Sequence, residues 1–131
     1  MHKKIIILGA GLVGGPMARD LATDPGFKVS VADISTEALQ KATAGTSVQP
    51  IQTDLNIPEN VTRLVKGSDL VISAVPGFLG FQTLKTVIEA GRSIVDIAFF
   101  IEDPFPLDEL AMKNKVTAIV DCGVAPGMCN V

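Results

Sequence analysis

Short apolar runs recur along the chain at Lys4 to Leu8, Lys28 to Ala32, Ser47 to Gln52, Leu70 to Val75, Ser93 to Ile97 and Val116 to Asp121. Their spacing, roughly 22 residues, leaves room for one crossover helix between successive strands. Helical patterns fill the gaps. Leu12, Val13, Met17, Leu21 and Ala22 share one apolar face until Pro25-Gly26, and Thr36 to Ala44 forms a second helical stretch. Pro58 suits the first turn of another helix; Leu84, Val87 and Ile88 mark a further one that ends at Gly91; and Leu107, Leu110 and Ala111 mark the last. Strands alternating with helices predict an α/β fold. The expected architecture is a doubly wound, six-stranded parallel sheet with helices on both faces, strand order 3-2-1-4-5-6.

In such a sheet the ligand lies beyond the carboxyl ends of the strands, so residues just after each run are the candidates for chemistry. Gly9-Ala10-Gly11-Leu12-Val13-Gly14 follows Ile5-Ile6-Ile7-Leu8 directly. This is the glycine fingerprint of a dinucleotide-binding Rossmann domain: Gly9 for the tight turn, Gly11 for close approach of a pyrophosphate, Gly14 for helix against strand. Unpaired N–H groups at the helix start, Leu12 and Val13 among them, would hold the phosphate charge. The second run ends on Asp33, placed to accept hydrogen bonds from the adenosine ribose, with Ile34 beside it. No arginine follows Asp33, so NAD is expected in preference to NADP. The alternative for Asp33 is a cap on the next helix. Asp54 is a candidate acceptor for the adenine amino group with Leu55 packing on the ring, and here too helix capping is the alternative. After the fourth run, Ala74, Val75 and Pro76 would let the second ribose approach the backbone, although Pro76-Gly77 is also ordinary turn chemistry. Glu102 and Asp103 form a carboxylate pair that reads as a solvated loop rather than a substrate lure.

The 131 residues suffice for one dinucleotide-binding domain, and a hydrophobic share of 47% suits strands covered on both faces. A net charge of −3 with no Trp or Tyr argues against nucleic acid and membrane surfaces as partners. The amino-terminal residues imitate a secretory signal, but Gly9, Gly11, Gly14 and Gly15 break the apolar section, and no run approaches a membrane span. Cys122 and Cys129 have neither metal-ligand nor redox spacing, and the one histidine, His2, is terminal. Reduced thiols, a cytoplasmic location and no metal site are therefore expected. Exposed sheet edges and the apolar share favour self-association, with a homodimer the simplest form.

Three further segments carry a resemblance: Ser73-Ala74-Val75-Pro76-Gly77-Phe78-Leu79-Gly80, Val95-Asp96-Ile97-Ala98-Phe99, and Asp121-Cys122-Gly123-Val124-Ala125-Pro126-Gly127-Met128. Over essentially its whole length the chain resembles the amino-terminal cofactor domain of the saccharopine dehydrogenase superfamily, most of all its lysine 6-dehydrogenase-like branch. The resemblance implies an NAD(P)-dependent oxidoreductase acting on the C–N bond of a lysine- or saccharopine-like amino acid. It also implies that Asp121 to Asn130 borders the nicotinamide and leads into a substrate domain following Val131, with Pro126-Gly127 opening a helix. On this reading the chain is an amino-terminal fragment, inactive alone. Cys129 stands where such proteins commonly have serine, and neither a histidine nor a lysine can be assigned as proton carrier, so the catalytic residues are unknown. The rival is a regulatory NAD-sensing module without catalysis, like the cytoplasmic domains that gate potassium transporters.

Overall fold

The computed structural model describes residues 1–124 and 126–130. Ala125 and Val131, which belong to the carboxyl-terminal motif and the expected domain boundary, lie outside the described residues. Strands and helices alternate as β1 (Lys3–Leu8), α1 (Gly14–Leu21), β2 (Phe27–Asp33), α2 (Thr36–Thr43), β3 (Gln49–Gln52), α3 (Pro58–Val65), β4 (Leu70–Ser73), α4 (Gly77–Glu89), β5 (Ile94–Asp96), α5 (Asp108–Asn114) and β6 (Ala118–Ile119). Short 3-10 turns occupy Phe105–Leu107 and Met128–Asn130. The sheet is parallel throughout, in the expected order β3-β2-β1-β4-β5-β6.

Alternation along the central strand explains the two layers. Ile5 and Ile7 of β1 join Val29 and Val31 in a core cluster with Ala18, Leu39 and Ala42 from α1 and α2. Ile6 and Leu8 face the other way, into a cluster with Val61, Val65, Leu84, Val87 and Ile88 from α3 and α4. A strand buried on both faces must be apolar at every position, and that gives the continuous run at the start of the chain.

Two details depart from the periodicity. Leu12 and Val13 do not belong to the apolar face of α1: they precede the helix, and Leu12 is 98% exposed. The buried positions of α1 are Gly14, Gly15 and Ala18, so it packs through small residues rather than a leucine stripe. The last strand is only Ala118–Ile119, bracketed by Lys115 and Asp121, both in the left-handed region. At the other edge, Pro50 removes a donor from β3, as strand prolines commonly do at edges, and works against pairing with another strand there. Among the described residues no helix is long and apolar enough to cross a membrane.

Candidate functional site

The carboxyl ends of β1, β2 and β4 meet at one place. Gly9 turns the chain at once after β1 with φ of 101°, and its N–H donates to the Ala32 carbonyl at 2.8 Å. A Cβ on Gly9 would sit 2.6 Å from the Ala74 carbonyl oxygen, and one on Gly14 would drive into the Gly9 carbonyl. Gly11 differs. A Cβ there would meet nothing within 4 Å, so the protein's own packing does not require glycine at this position.

The helix entrance is left open electrically as well. Gly15 and Met17 donate to the carbonyls of Gly11 and Val13, but the N–H groups of Gly11, Leu12, Val13 and Gly14 have no acceptor among the described residues. Val13 and Gly14 are the cap and the first residue of α1, at the positive end of its dipole, while Gly11 and Leu12 belong to the turn that feeds the helix. No side chain caps them.

Asp33, at the end of β2, is tied into this turn. Its Oδ2 accepts the Ala10 N–H at 2.8 Å and its Oδ1 accepts the Ser35 N–H at 2.8 Å. Asp33 is not the cap of α2; Ser35 is, its hydroxyl accepting from the Ala38 N–H at 3.1 Å. Ile34 stands exposed beside Asp33. Asp54 is reached through Thr53, whose N–H donates to the Asp33 carbonyl. It does not cap α3 with its side chain; its Oδ1 instead accepts from both the side chain and the backbone N–H of Asn56 at 2.9 Å. Those bonds, the side-chain one foremost, hold its carboxyl below the usual range. Leu55 is only 8% exposed and lies in the core cluster with residues of α3 and α4, so most of its side chain is taken up by the core.

Ala74 and Val75 continue β4, Ala74 donating its N–H to Leu8 at 2.8 Å, and Pro76 precedes α4. Gly77 begins that helix because a Cβ would collide with the Phe99 carbonyl, so part of the Pro-Gly pattern serves close packing. Glu102 and Asp103 are exposed, and Asp103 caps the following 3-10 turn through the Phe105 N–H at 3.0 Å. Beyond β6 the segment folds back on itself: Gly123 and Gly127 form a bridge, and Met128 and Cys129 donate to the Gly123 and Val124 carbonyls. A 3-10 turn, rather than a regular helix, follows Pro126-Gly127 in the described residues.

Asp96 has an environment that periodicity does not single out. It ends β5 with 0% exposure, and its Oδ1 accepts the Ala98 N–H at 2.8 Å. Its Oδ2 and the Oγ of Ser73, its register partner on β4, are both buried without a well-formed hydrogen bond among the described residues. Burial, reinforced by the nearby Asp121 charge, pushes the carboxyl up to about 6, against the lowering effect of Ala98 and Ser73. Unfolded, the same group titrates near 3.8. Its stabilising contribution is therefore complete below pH 3.8 and is lost as pH rises through 6. Asp96→Asn removes this dependence and should be more stable than wild type at pH 7.5 by on the order of 3 kcal/mol, with little difference at pH 4. Urea unfolding at both pH values measures it. An equal difference at the two would show that ionisation of Asp96 is not the cause.

Comparison with known proteins agrees with this geometry. Residues 5–119 match the family described as the saccharopine dehydrogenase NADP binding domain. A saccharopine dehydrogenase (NADP(+), L-glutamate-forming) of Pyricularia oryzae is 31% identical over 127 residues, covering 96% of this chain and 28% of the relative. The apo structure of the L-Glu-forming saccharopine dehydrogenase of Saccharomyces cerevisiae superposes with a TM-score of 0.86 at 22% identity, covering 97% of this chain and 28% of that one. A scyllo-inositol dehydrogenase from Lactobacillus casei, solved with NAD(H), shares the fold with a TM-score of 0.73 at 19% identity, covering 92% of this chain and 36% of that one. The chain thus spans little more than a quarter of the length of the saccharopine dehydrogenases it matches. By its sequence and by the open glycine turn at the β1/β4 switch point, the chain belongs to the saccharopine dehydrogenase NADP binding domain family, and its ligand class is a nicotinamide dinucleotide.

Proposed function

We propose that the turn from Gly9 to Gly14 grips the pyrophosphate of NAD, and that residues 1–131 are the cofactor domain of an amino-acid dehydrogenase. The observation that carries this is Gly11: a Cβ there would meet nothing within 4 Å, and the N–H groups of Gly11, Leu12, Val13 and Gly14 have no acceptor among the described residues. An anion brought against the backbone satisfies both features. Asp33, held by two backbone N–H groups, keeps lone pairs for the ribose hydroxyls; Ile34, Asp54 and Leu55 border the adenine; Ala74, Val75 and Pro76 border the second ribose. A nicotinamide dinucleotide held by these residues would supply hydride-accepting chemistry for the amine-bearing carbon of a lysine- or saccharopine-like substrate in a longer enzyme. The exposed, unbridged Cys122 and Cys129 suit the cytoplasm in this reading.

The family's name carries NADP, and the reason to propose NAD for this chain is Asp33 with no basic residue at positions 34 or 35. A carboxylate set against a 2′-phosphate costs several kcal/mol. Calorimetric titration should therefore show NAD binding about tenfold or more tighter than NADP. Asp33→Ala should narrow that gap, although it also frees the Ala10 and Ser35 N–H groups and loosens the turn. Asp33→Asn removes the charge while keeping one acceptor, and so separates the two effects. Equal or tighter NADP binding by the wild type would overturn the assignment.

Turnover gives the other test. Residues 1–131 should bind NAD yet show no reduction of it with lysine, saccharopine or related amino acids. Hydride transfer needs the donor carbon within about 3 to 3.5 Å of the nicotinamide, a placement that supplies roughly 7 to 11 kcal/mol of the barrier. No described side chain at the switch point is placed as a proton carrier for C–N oxidation. Amine-dependent absorbance at 340 nm with these residues alone would show that the substrate site has been put in the wrong part of the protein.

A further inference from the structure

A groove of about 510 Å³ opens beside the glycine turn, between α1 and α2, and among its lining residues are Gly11, Leu12, Ser35, Arg19, Glu37 and Lys41. The first three belong to the cofactor mouth itself, so the groove continues the site rather than standing apart from it. The last three are the charged residues facing the groove. Arg19 is committed: its Nη1 donates to the Ala44 carbonyl at 2.7 Å and the Lys41 carbonyl at 3.3 Å, closing the carboxyl end of α2. Lys41 is paired with Glu37 at 2.8 Å, one helical turn apart, and both side chains are largely exposed. Asp33, a short step away through Ser35, already spends a lone pair of each oxygen on backbone N–H groups.

We propose that Glu37 is a second determinant of cofactor choice: at the mouth of this groove it repels a 2′-phosphate directly and holds Lys41, the one groove cation not committed elsewhere, away from that phosphate. The inference rests on reading the glycine turn as the dinucleotide site. Ser35, Glu37 and Lys41 line the same groove as Gly11 and Leu12, so a 2′-phosphate directed along it from a ribose held by Asp33 would meet the carboxylates of Asp33 and Glu37 and an ammonium already paired. NAD carries a hydroxyl at that point, which neither carboxylate repels. Exposed ion pairs are individually weak, so Lys41 is easily released once its partner loses its charge. A freed lysine at the rim is then a point-charge ligand for phosphate.

The experiment compares wild type, Glu37→Gln, Lys41→Gln and the double variant. Dissociation constants are measured by calorimetry for NAD, NADP and 2′,5′-ADP, at low and at high salt. Glu37→Gln should tighten NADP and 2′,5′-ADP by about five- to tenfold at low salt, with NAD as the control. The gain should shrink at high salt and fall in the double variant to the part owed to lost repulsion, because the freed Lys41 supplies the rest. NADP affinity within twofold of wild type in Glu37→Gln, with NAD still bound, would make the pair an ordinary helix-surface contact and overturn the inference alone. Equal weakening of NAD and NADP would also overturn it, since the groove would then support the turn rather than select the cofactor. Absence of NAD binding to the wild type would instead remove the dinucleotide site on which the inference rests.

Discussion

Gly14→Ala should destabilise the domain by about 3 kcal/mol or more, the range expected when a packed backbone contact is overfilled. The new methyl would overlap the Gly9 carbonyl and approach Ala74 Cβ at 3.1 Å. Neither neighbour can give way. Gly9 is fixed by its bond to Ala32, by a backbone conformation reserved for glycine and by the Ala74 carbonyl beneath it. Ala74 is held to Leu8 in the sheet. Relief requires α1 to lift from β1, opening the cluster of Ile5, Ile7, Ala18 and Val31. Urea unfolding measures the loss, and an unfolding free energy within about 1 kcal/mol of wild type would mean that α1 does not depend on this contact.

Gly11→Val should do the reverse: leave the fold intact and weaken NAD by about a hundredfold. The side chain enters space that the protein leaves empty, so the circular dichroism spectrum and unfolding midpoint should stay close to wild type. It would hold the pyrophosphate off the N–H groups of the turn. Losing two charge-assisted hydrogen bonds at about 1.5 kcal/mol each corresponds to that factor. Unchanged NAD affinity in a natively folded Gly11→Val would place the phosphate grip elsewhere.

The contrast between these two glycines shows what the chain discloses by itself. Strand order is legible because a spacing of roughly 22 residues leaves one crossover per strand and chirality does the rest. The separate uses of Gly9 and Gly14 are legible too, since each is a steric necessity of a turn set against a helix. Periodicity fails at Leu12 and Val13, which continue the spacing of Met17 and Leu21 but precede the first helical residue; a pattern of apolar positions cannot distinguish a helix from the turn that feeds it. β6 comes out shorter than its apolar run because the left-handed residues Lys115 and Asp121 bound it, and neither is glycine. Asp96 lies inside the run Ser93 to Ile97 and in one of the segments that carry the resemblance, but nothing in the pattern marks its carboxyl as buried. Its burial depends on the close approach of α4 to the loop after β5, where a Cβ on Gly80 would come within 3.0 Å of Ala98 Cβ. Glu37 and Lys41 carry no signal in the sequence, and only the groove they share with Gly11 gives them a meaning.

Amide chemical-shift mapping by NMR during titration with NAD tests the central claim most directly. The structure offers a second cavity, about 430 Å³ between α4 and α5 and lined by Leu84, Leu107 and Met112 among others, so the ligand has a real alternative. The account predicts that the largest shifts fall on Gly11 to Gly14, on Asp33 to Ser35, and on Val75 and Gly77, with the α5 amides unmoved. Shifts concentrated on Leu107 to Met112, or none at a saturating concentration of NAD, would contradict it.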